Sequence, residues 1–489
     1  METTTSSTSG TTPFKKLRKS FLAWYGIGAA PVGIGFIVNV YILYYYDQVL
    51  HVPVGLVTTA LMIAAMFDAV TDPIVGAISD RTKSSLGRRH PYMFASAIPL
   101  GIVFYYTWAP PSNLDSYGLA VWLIVCLLIQ RLLSTFYLVP HYAFGAEVTQ
   151  DYDERTLVTS VRSYINTVGR SVAGAALLLY FLRNTPLYPD GKNNPNGYVE
   201  FALWFGLISS VCYLLSAVFT RKEGQALSAP DYQKLPLSEA MWLPFKDIKD
   251  ALQYRAFRSL TGTVLLQQVA FGVAETLSMY MVTYFWKISH TMLFWWGTAM
   301  FTGMFIGYIF WRLISKRMEK KTVYIIGTIG YVVCATIPYV FKVVGIWPSA
   351  DSAWYLSLYI GITGLLAHFL LAGPIIMTGS MLGDISDLDE LNTGKRREGV
   401  IVGAESLAHK LFNSIGPPIA GIIVSIAGIG STTKQLADAA QVSQSDANVL
   451  GLAQGVVVAM LFIGSYLFLR NYDLDVKKHQ EIMDALAKK

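Results

Sequence analysis

Long apolar runs alternate with short polar stretches along almost the whole chain. They fall at roughly 21–47, 54–79, 91–109, 117–146, 157–182 and 198–220, then at 258–287, 291–314, 322–343, 352–384, 399–429 and 447–470. About 20 apolar residues cross a bilayer as an α-helix, and several runs are long enough to tilt. The one long hydrophilic connection is 221–257, which divides the runs six and six. The pattern predicts an all-α membrane protein with twelve transmembrane helices in two six-helix halves, at 21–220 and 258–470. A cytoplasmic linker at 221–257 joins them. Residues 1–20 read as a disordered basic tail and 471–489 as a cytoplasmic C-terminal tail. The polar outer loops 183–197 and 430–446 read as lids or spacers.

Composition sharpens the class. Of 489 residues, 53% are hydrophobic and 14% charged; soluble chains carry about 25% charged residues. That deficit excludes an ordinary soluble enzyme, a disordered protein and a nucleic-acid binder. With the N-terminus inside, the inner segments hold roughly 27 Lys and Arg residues and the outer loops about five. By the positive-inside rule both termini are cytoplasmic. The net charge of +6 is thereby mostly topological. Cys126, Cys212 and Cys334 lie in apolar runs and form neither a disulfide framework nor a metal-ligand spacing. The first run is far longer than the apolar core of a cleavable leader. A multi-pass protein of a bacterial inner (plasma) membrane is expected. Tyr44–Tyr46 and Trp295–Trp296 fall near span ends and read as interface anchors.

Ionisable residues at membrane depth are costly, so they are functional candidates. Asp68 and Asp72 lie in AMFDAVTDPIVG, and their i, i+4 spacing puts both carboxylates on one helical face. Two such anions repel, so either one takes a proton or a cation sits between them. Thr71 offers a further oxygen for a hard cation such as Na+. The other reading is a pair of gating carboxylates bonded to Arg or backbone. Arg162, Asn166 and Arg170 form an i, i+4, i+8 polar stripe on the fifth span. Arg162 suits bidentate capture of substrate, or a salt bridge to Asp68 or Asp72. The eleventh span carries Glu405, His409, Lys410 and Asn413. Lys410 is read as a cavity residue or as an internal partner of Glu405. Glu275, Glu405 and His409 are coupling or proton candidates. His141 and Tyr142, beside Pro140, are substrate-binding candidates; Arg131 and His368 are weaker ones. No metal-ligand cluster, nucleophile elbow or phosphate loop is visible, so neither an enzyme nor a cofactor is expected beyond the coupling ion, Na+ or H+.

FDAVTDPIVGAISDRTKSSLGRRHP resembles the second-span and loop signature of the glycoside–pentoside–hexuronide:cation symporters, the melibiose-carrier branch of the major facilitator superfamily. GAEVTQDYDERTLVTSVRSY resembles that family's fourth-to-fifth-span connection, and MLGDISDLDELNTGKRREGVIVGAESLAHKL its tenth-to-eleventh. YGIGA and YILYYYDQVL fit its first span. The resemblance implies a major facilitator fold and cation-coupled uptake by alternating access. It places the cation at Asp68 and Asp72, with Thr71 at the neighbouring polar position and Thr135 as a fourth-span hydroxyl. It assigns Arg162 and Lys410 to sugar binding. Two acids that grip sugar hydroxyls in the family are absent: APVGIGFIVNVY has none, and Leu138 stands at the fourth-span position. Leu cannot replace a carboxylate that accepts two hydroxyl protons.

The expected function is secondary active symport, coupled to sodium or protons, of a glycoside, uronide or related organic solute. A symporter of a lipid-like or amphipathic carboxylate is the alternative. A non-transporting membrane sensor or scaffold is a third, of another class. The expected partners are a small-molecule substrate, the coupling cation and the bilayer, with no nucleic acid; one chain holds both halves and suffices as a monomer. The expected mechanism has the cation neutralise Asp68 and Asp72 and release Arg162 or Lys410 for substrate. Asp80, Arg81, Arg88, Arg89, Asp384 and Arg396 are read as inner-gate ion pairs that break when the cavity opens inward.

Overall fold

The computed structural model describes residues 17–149, 152–226, 246, 249–350, 352–394, 398–429 and 442–488, and every regular element among them is helical. Helices α1 (Lys19–Ile27) and α2 (Ala30–Tyr44) make one broken rod that ends in a π-helical turn at Tyr45–Val49. Then come α3 (Val54–Arg81), α4 (His90–Trp108) and α5 (Ser116–Glu147). Next, α6 (Tyr152–Ala176) ends in a π turn at Leu177–Phe181, and α7 (Pro195–Phe219) precedes the short α8 (Arg221–Ala226). A second group starts with α9 (Arg255–Tyr280) and its π turn Met281–Phe285, followed by α10 (His290–Ile314) and α11 (Lys320–Val343). Helix α12 (Ala353–Leu358) runs through a π segment, Tyr359–Leu366, into α13 (Ala367–Thr393). Helices α14 (Glu398–Asn413), α15 (Gly416–Ile426), α16 (Gln444–Leu469) and α17 (Val476–Ala487) follow.

Local chemistry sets several ends. Asp115 accepts from the Gly118 amide at 2.8 Å and starts α5; Asp475 does the same for Lys478 at 2.8 Å and starts α17. Asn194 with Pro195 behind it starts α7. Gly394, in the left-handed region at φ 69°, ends α13. The eleventh apolar run is not one helix. It breaks at Ser414–Ile415, where Pro417 and Pro418 open α15 and Gly416 presses against Gly272 of α9.

Eight stretches among the described residues are long and apolar enough to cross a membrane: 19–49, 54–81, 116–145, 195–219, 292–314, 320–343, 354–393 and 444–469. Helices α4, α6 and α9 and the α14–α15 pair fall short of that standard. The α14–α15 pair does so because the break leaves pieces of 16 and 11 residues.

Helices before residue 227 pack mainly on one another, through α4 with α7, α3 with α5 and α2 with α6. Those after 254 do likewise, through α9 with α16 and α13 with both α10 and α11. The groups meet where α2 packs on α9 and α3 on α14 and α15. The largest buried cluster spans this seam at the end of the molecule that carries His51. It joins Tyr41–Tyr46, Trp108 and Tyr198 to Tyr280–Phe285, Tyr359 and Ile423–Ile429. At the opposite end, where Lys19 lies, each group has its own clusters: Tyr25 with Phe144, Met93 with Tyr137, and Phe257 with Tyr324 and Ile385. Tyr44, Tyr45 and Tyr46 are therefore core, not interface anchors: Tyr45 and Tyr46 donate to the carbonyls of Trp108 and Thr107 at 2.7 and 2.8 Å. Trp295 is exposed, whereas Trp296 turns in and donates to Thr363 at 2.9 Å.

Candidate functional site

Between the groups lie two adjoining chambers of about 550 and 380 Å³, whose walls share Phe36, Asp68, Arg131 and Lys410. Helix α3 supplies Asp68 and Asp72, one turn apart and on one face. Opposite, α14 delivers Lys410. Its ammonium lies 3.4 Å from an Asp68 oxygen and forms a short ion pair with Asp72. Thr135 of α5, buried, bridges the same carboxylates: its Oγ1 lies 2.9 Å from Asp72 Oδ1 and 3.3 Å from Asp68 Oδ1. A hydroxyl has one proton, so it serves one carboxylate at a time. Thr71 spends its proton on the Phe67 or Asp68 carbonyl, at 3.1 and 3.3 Å, and its oxygen lies 3.5 Å from Thr135 Oγ1. Lys410 and Thr135 thus converge on the two carboxylates. Two carboxylates and one ammonium leave the trio with a net charge of −1. The carboxylate and hydroxyl oxygens of Asp68, Asp72, Thr71 and Thr135 suit an alkali cation or a proton.

The polar stripe of α6 is divided. Arg170 reaches the wall of the larger chamber, its guanidinium 3.9 Å from the Phe36 ring centroid. Arg162 instead sits 4.2 Å from the ring centroid of Tyr142, and it is the Tyr142 ring that lines the chamber. Asn166 is half-buried and off both walls; its backbone carbonyl is where α6 meets Gly33 of α2. His141 is a correction. It is fully buried, stacked on Tyr25 at 4.3 Å, with Nε2 3.1 Å from the Tyr25 carbonyl, and lines neither chamber. On a helix, neighbours 141 and 142 point about 100° apart, so only one of them faces the cavity.

In the smaller chamber Glu275, His409 and Asn413 stand with Gln268 and Lys410. Glu405 is half-buried and off both walls, and Lys410 pairs across the seam rather than with Glu405. Gln130 and Gln268, on the two walls, were not singled out from sequence.

The gate residues pair within each group. Arg88 and Arg89 both reach Glu147 at 2.7 Å, and Arg89 also reaches Asp80 at 2.5 Å and Ser79 at 2.8 Å. Asp384 is held by Lys320 at 2.7 Å and by His479 at 3.4 Å. These bridges brace the ends of α3–α5 and dock α17 on α13, each within one group. Arg81 is exposed, and Arg396 lies outside the described residues. Sequence reading missed a second cross-group cluster. At the His51 end the buried Asp47 accepts from Tyr280 and, at 2.5 Å, from Gln48, whose own oxygen accepts from Tyr284. Gln48 also donates to the Ile429 carbonyl at 3.2 Å. Its signal was an Asp inside a tyrosine-rich span end.

The family model for MFS/sugar transport proteins matches residues 24–476. The chain belongs to that family. It is a multi-pass integral membrane transporter and not an enzyme. It is 26% identical to the inner membrane symporter YicJ of Escherichia coli (strain K12), over 95% of this chain and 94% of that protein. It is 21% identical to the isoprimeverose transporter of Lactiplantibacillus pentosus, over 88% of this chain and 86% of that one. Among solved structures, the inward-open xylose transporter XylE from E. coli matches with a TM-score of 0.61 at 12% identity, covering 96% of this chain and 99% of that chain. That likeness establishes the all-helical fold.

Proposed function

We propose that this transporter is a cation-coupled symporter of a glycoside, uronide or related organic solute, with Asp68, Asp72, Thr135 and Thr71 as the cation site. The observation that carries the reading is that Lys410 and Thr135 both engage both carboxylates. In this state the ammonium sits where the coupling ion would go. Na+ or H+ enters, neutralises the trio and frees Lys410 to turn into the larger chamber, beside Tyr142 and Arg170. There it meets the substrate. Arg162 acts through Tyr142 rather than by direct contact.

The chain crosses a bacterial inner membrane twelve times as two six-helix halves, with both termini cytoplasmic, so the His51 end is the outer end. The joined core there and the separate clusters at the other end support an inward-facing state. The names of relatives, a glycoside/cation symporter and an isoprimeverose transporter, favour a sugar-like cargo. Leu138 on the wall, where the family has an acid, favours a cargo bound through its anionic or acceptor groups. The mainly apolar wall of that chamber, with Phe36, Leu100, Phe104 and Leu127, keeps an amphipathic carboxylate as the second reading.

Thermal stability measured against Na+, Li+ and pH tests the site. A ligand of the folded state stabilises it by mass action. An alkali-metal shift in the wild type that vanishes in Asp72→Asn supports sodium coupling. A pH-dependent shift alone, lost in the same variant, supports protons. Shifts that survive Asp72→Asn, or none at all, would remove the proposed site.

A further inference from the structure

An apolar groove of about 240 Å³ runs between α11 and α16, away from the central chambers. Its walls are Ile329, Val332 and Val333 on α11 and Phe462, Ile463 and Tyr466 on α16. Ile329 and Ile463 are 56% and 63% exposed, on the face of a membrane protein that meets lipid. The polar groups at its floor are turned inward: Gln267 accepts from Tyr324 at 2.9 Å and donates to Ser465 at 3.3 Å. The groove therefore presents hydrocarbon. From Tyr324 to Val333 it extends about 13 Å along the helix axis.

One end of the groove has a basic rim. Lys321 opens α11 there and donates to the carbonyls of Arg470 and Tyr472, both at 2.9 Å. An ammonium has three protons, so one remains for a ligand. Arg470, just past α16, is exposed. The nearby Asp473 is paired with Lys478 at 3.8 Å.

We propose that this groove holds an acyl chain of a bilayer phospholipid whose anionic headgroup sits on the Lys321–Arg470 rim. Clusters of basic residues at a membrane interface recognise such headgroups. The proposal rests on the membrane placement and is independent of the coupling mechanism.

Native mass spectrometry of the full chain, transferred from mixed micelles with equal phosphatidylglycerol and phosphatidylcholine, tests it. The wild type should retain one phosphatidylglycerol in preference. Arg470→Gln should cut that preference about five-fold, the effect of one interfacial cation. Val333→Trp, which fills the groove from its lipid-facing side, should abolish retention of both lipids and leave any cation-induced thermal shift intact. Ile329→Phe is a milder filling that should weaken retention in the same sense. Equal retention of the two lipids by the wild type, retention unmoved by the filling variants, or a second copy of the chain on this face would overturn the proposal.

Discussion

Lys410 is the residue on which the proposed cycle turns. Its ammonium and the two carboxylates attract with about 4 kcal/mol per pair at 4 Å and an effective dielectric of 20. The Lys410 side chain is 41% exposed, so the net value is smaller, about 1–2 kcal/mol. Lys410→Gln removes the competitor and leaves the pair at −2. We expect it to bind the coupling cation about ten-fold more tightly than wild type, which is about 1.4 kcal/mol, while substrate uptake is lost. Titration calorimetry with Na+ and a proteoliposome uptake assay read the two effects. Equal or weaker cation binding would mean that the ammonium is not a competitor. The same residue shows why charge inventory alone is ambiguous: Arg162, Arg170 and Lys410 all suited Asp68 and Asp72, and only Lys410 reaches them.

Among the elements, the α2–α6 contact fixes where the stripe of α6 points. A Cβ on Gly33 would lie 2.1 Å from the Asn166 carbonyl oxygen and 2.5 Å from the Arg170 amide; one on Gly169 would lie 2.3 Å from the Ala30 carbonyl. These are backbone atoms and cannot turn aside, so the two helices touch through glycine. Gly33→Ala should destabilise the protein by about 1–3 kcal/mol through overpacking, and move Arg170 off Phe36. A lower melting temperature in detergent checks the first effect; an unchanged one would show that the helices can part. The eleventh apolar run follows the same logic at a larger step. Alternation of polar and apolar residues located it, but the break at Ser414 depends on Gly416 meeting Gly272, a contact invisible along the chain.

For the whole molecule, the cluster around Asp47 closes the His51 end. Spans that begin at Lys19 and Arg255 both finish in π turns, and these ends meet through Tyr280 with Asp47 and Tyr284 with Gln48. A hydrogen bond to a charged acceptor contributes about 1.5–3 kcal/mol. Tyr280→Phe should therefore shift the population toward a state open at this end by about ten-fold or more. Ser134 lines the larger chamber and offers a reporter. In a background without Cys126, Cys212 and Cys334, Ser134→Cys should react with an impermeant thiol reagent about ten-fold faster when Tyr280→Phe is added. An unaltered rate would show that the latch does not hold this end closed.

The sequence by itself determined the solvent, the apolar runs and the inventory of buried charge. Each depends on residues close along the chain: about 20 apolar residues cross a bilayer, and i, i+4 spacing sets Asp68 and Asp72 on one face without help from any neighbour. Only the tertiary structure decided the partners. Lys410 lies 342 positions from Asp68 and still meets it, Glu147 gathers Arg88 and Arg89, and His141 turns into the core beside Tyr25 while Tyr142 faces the chamber. The reason is rotational. Periodicity fixes which residues share a helical face, but packing against other helices fixes what that face looks at.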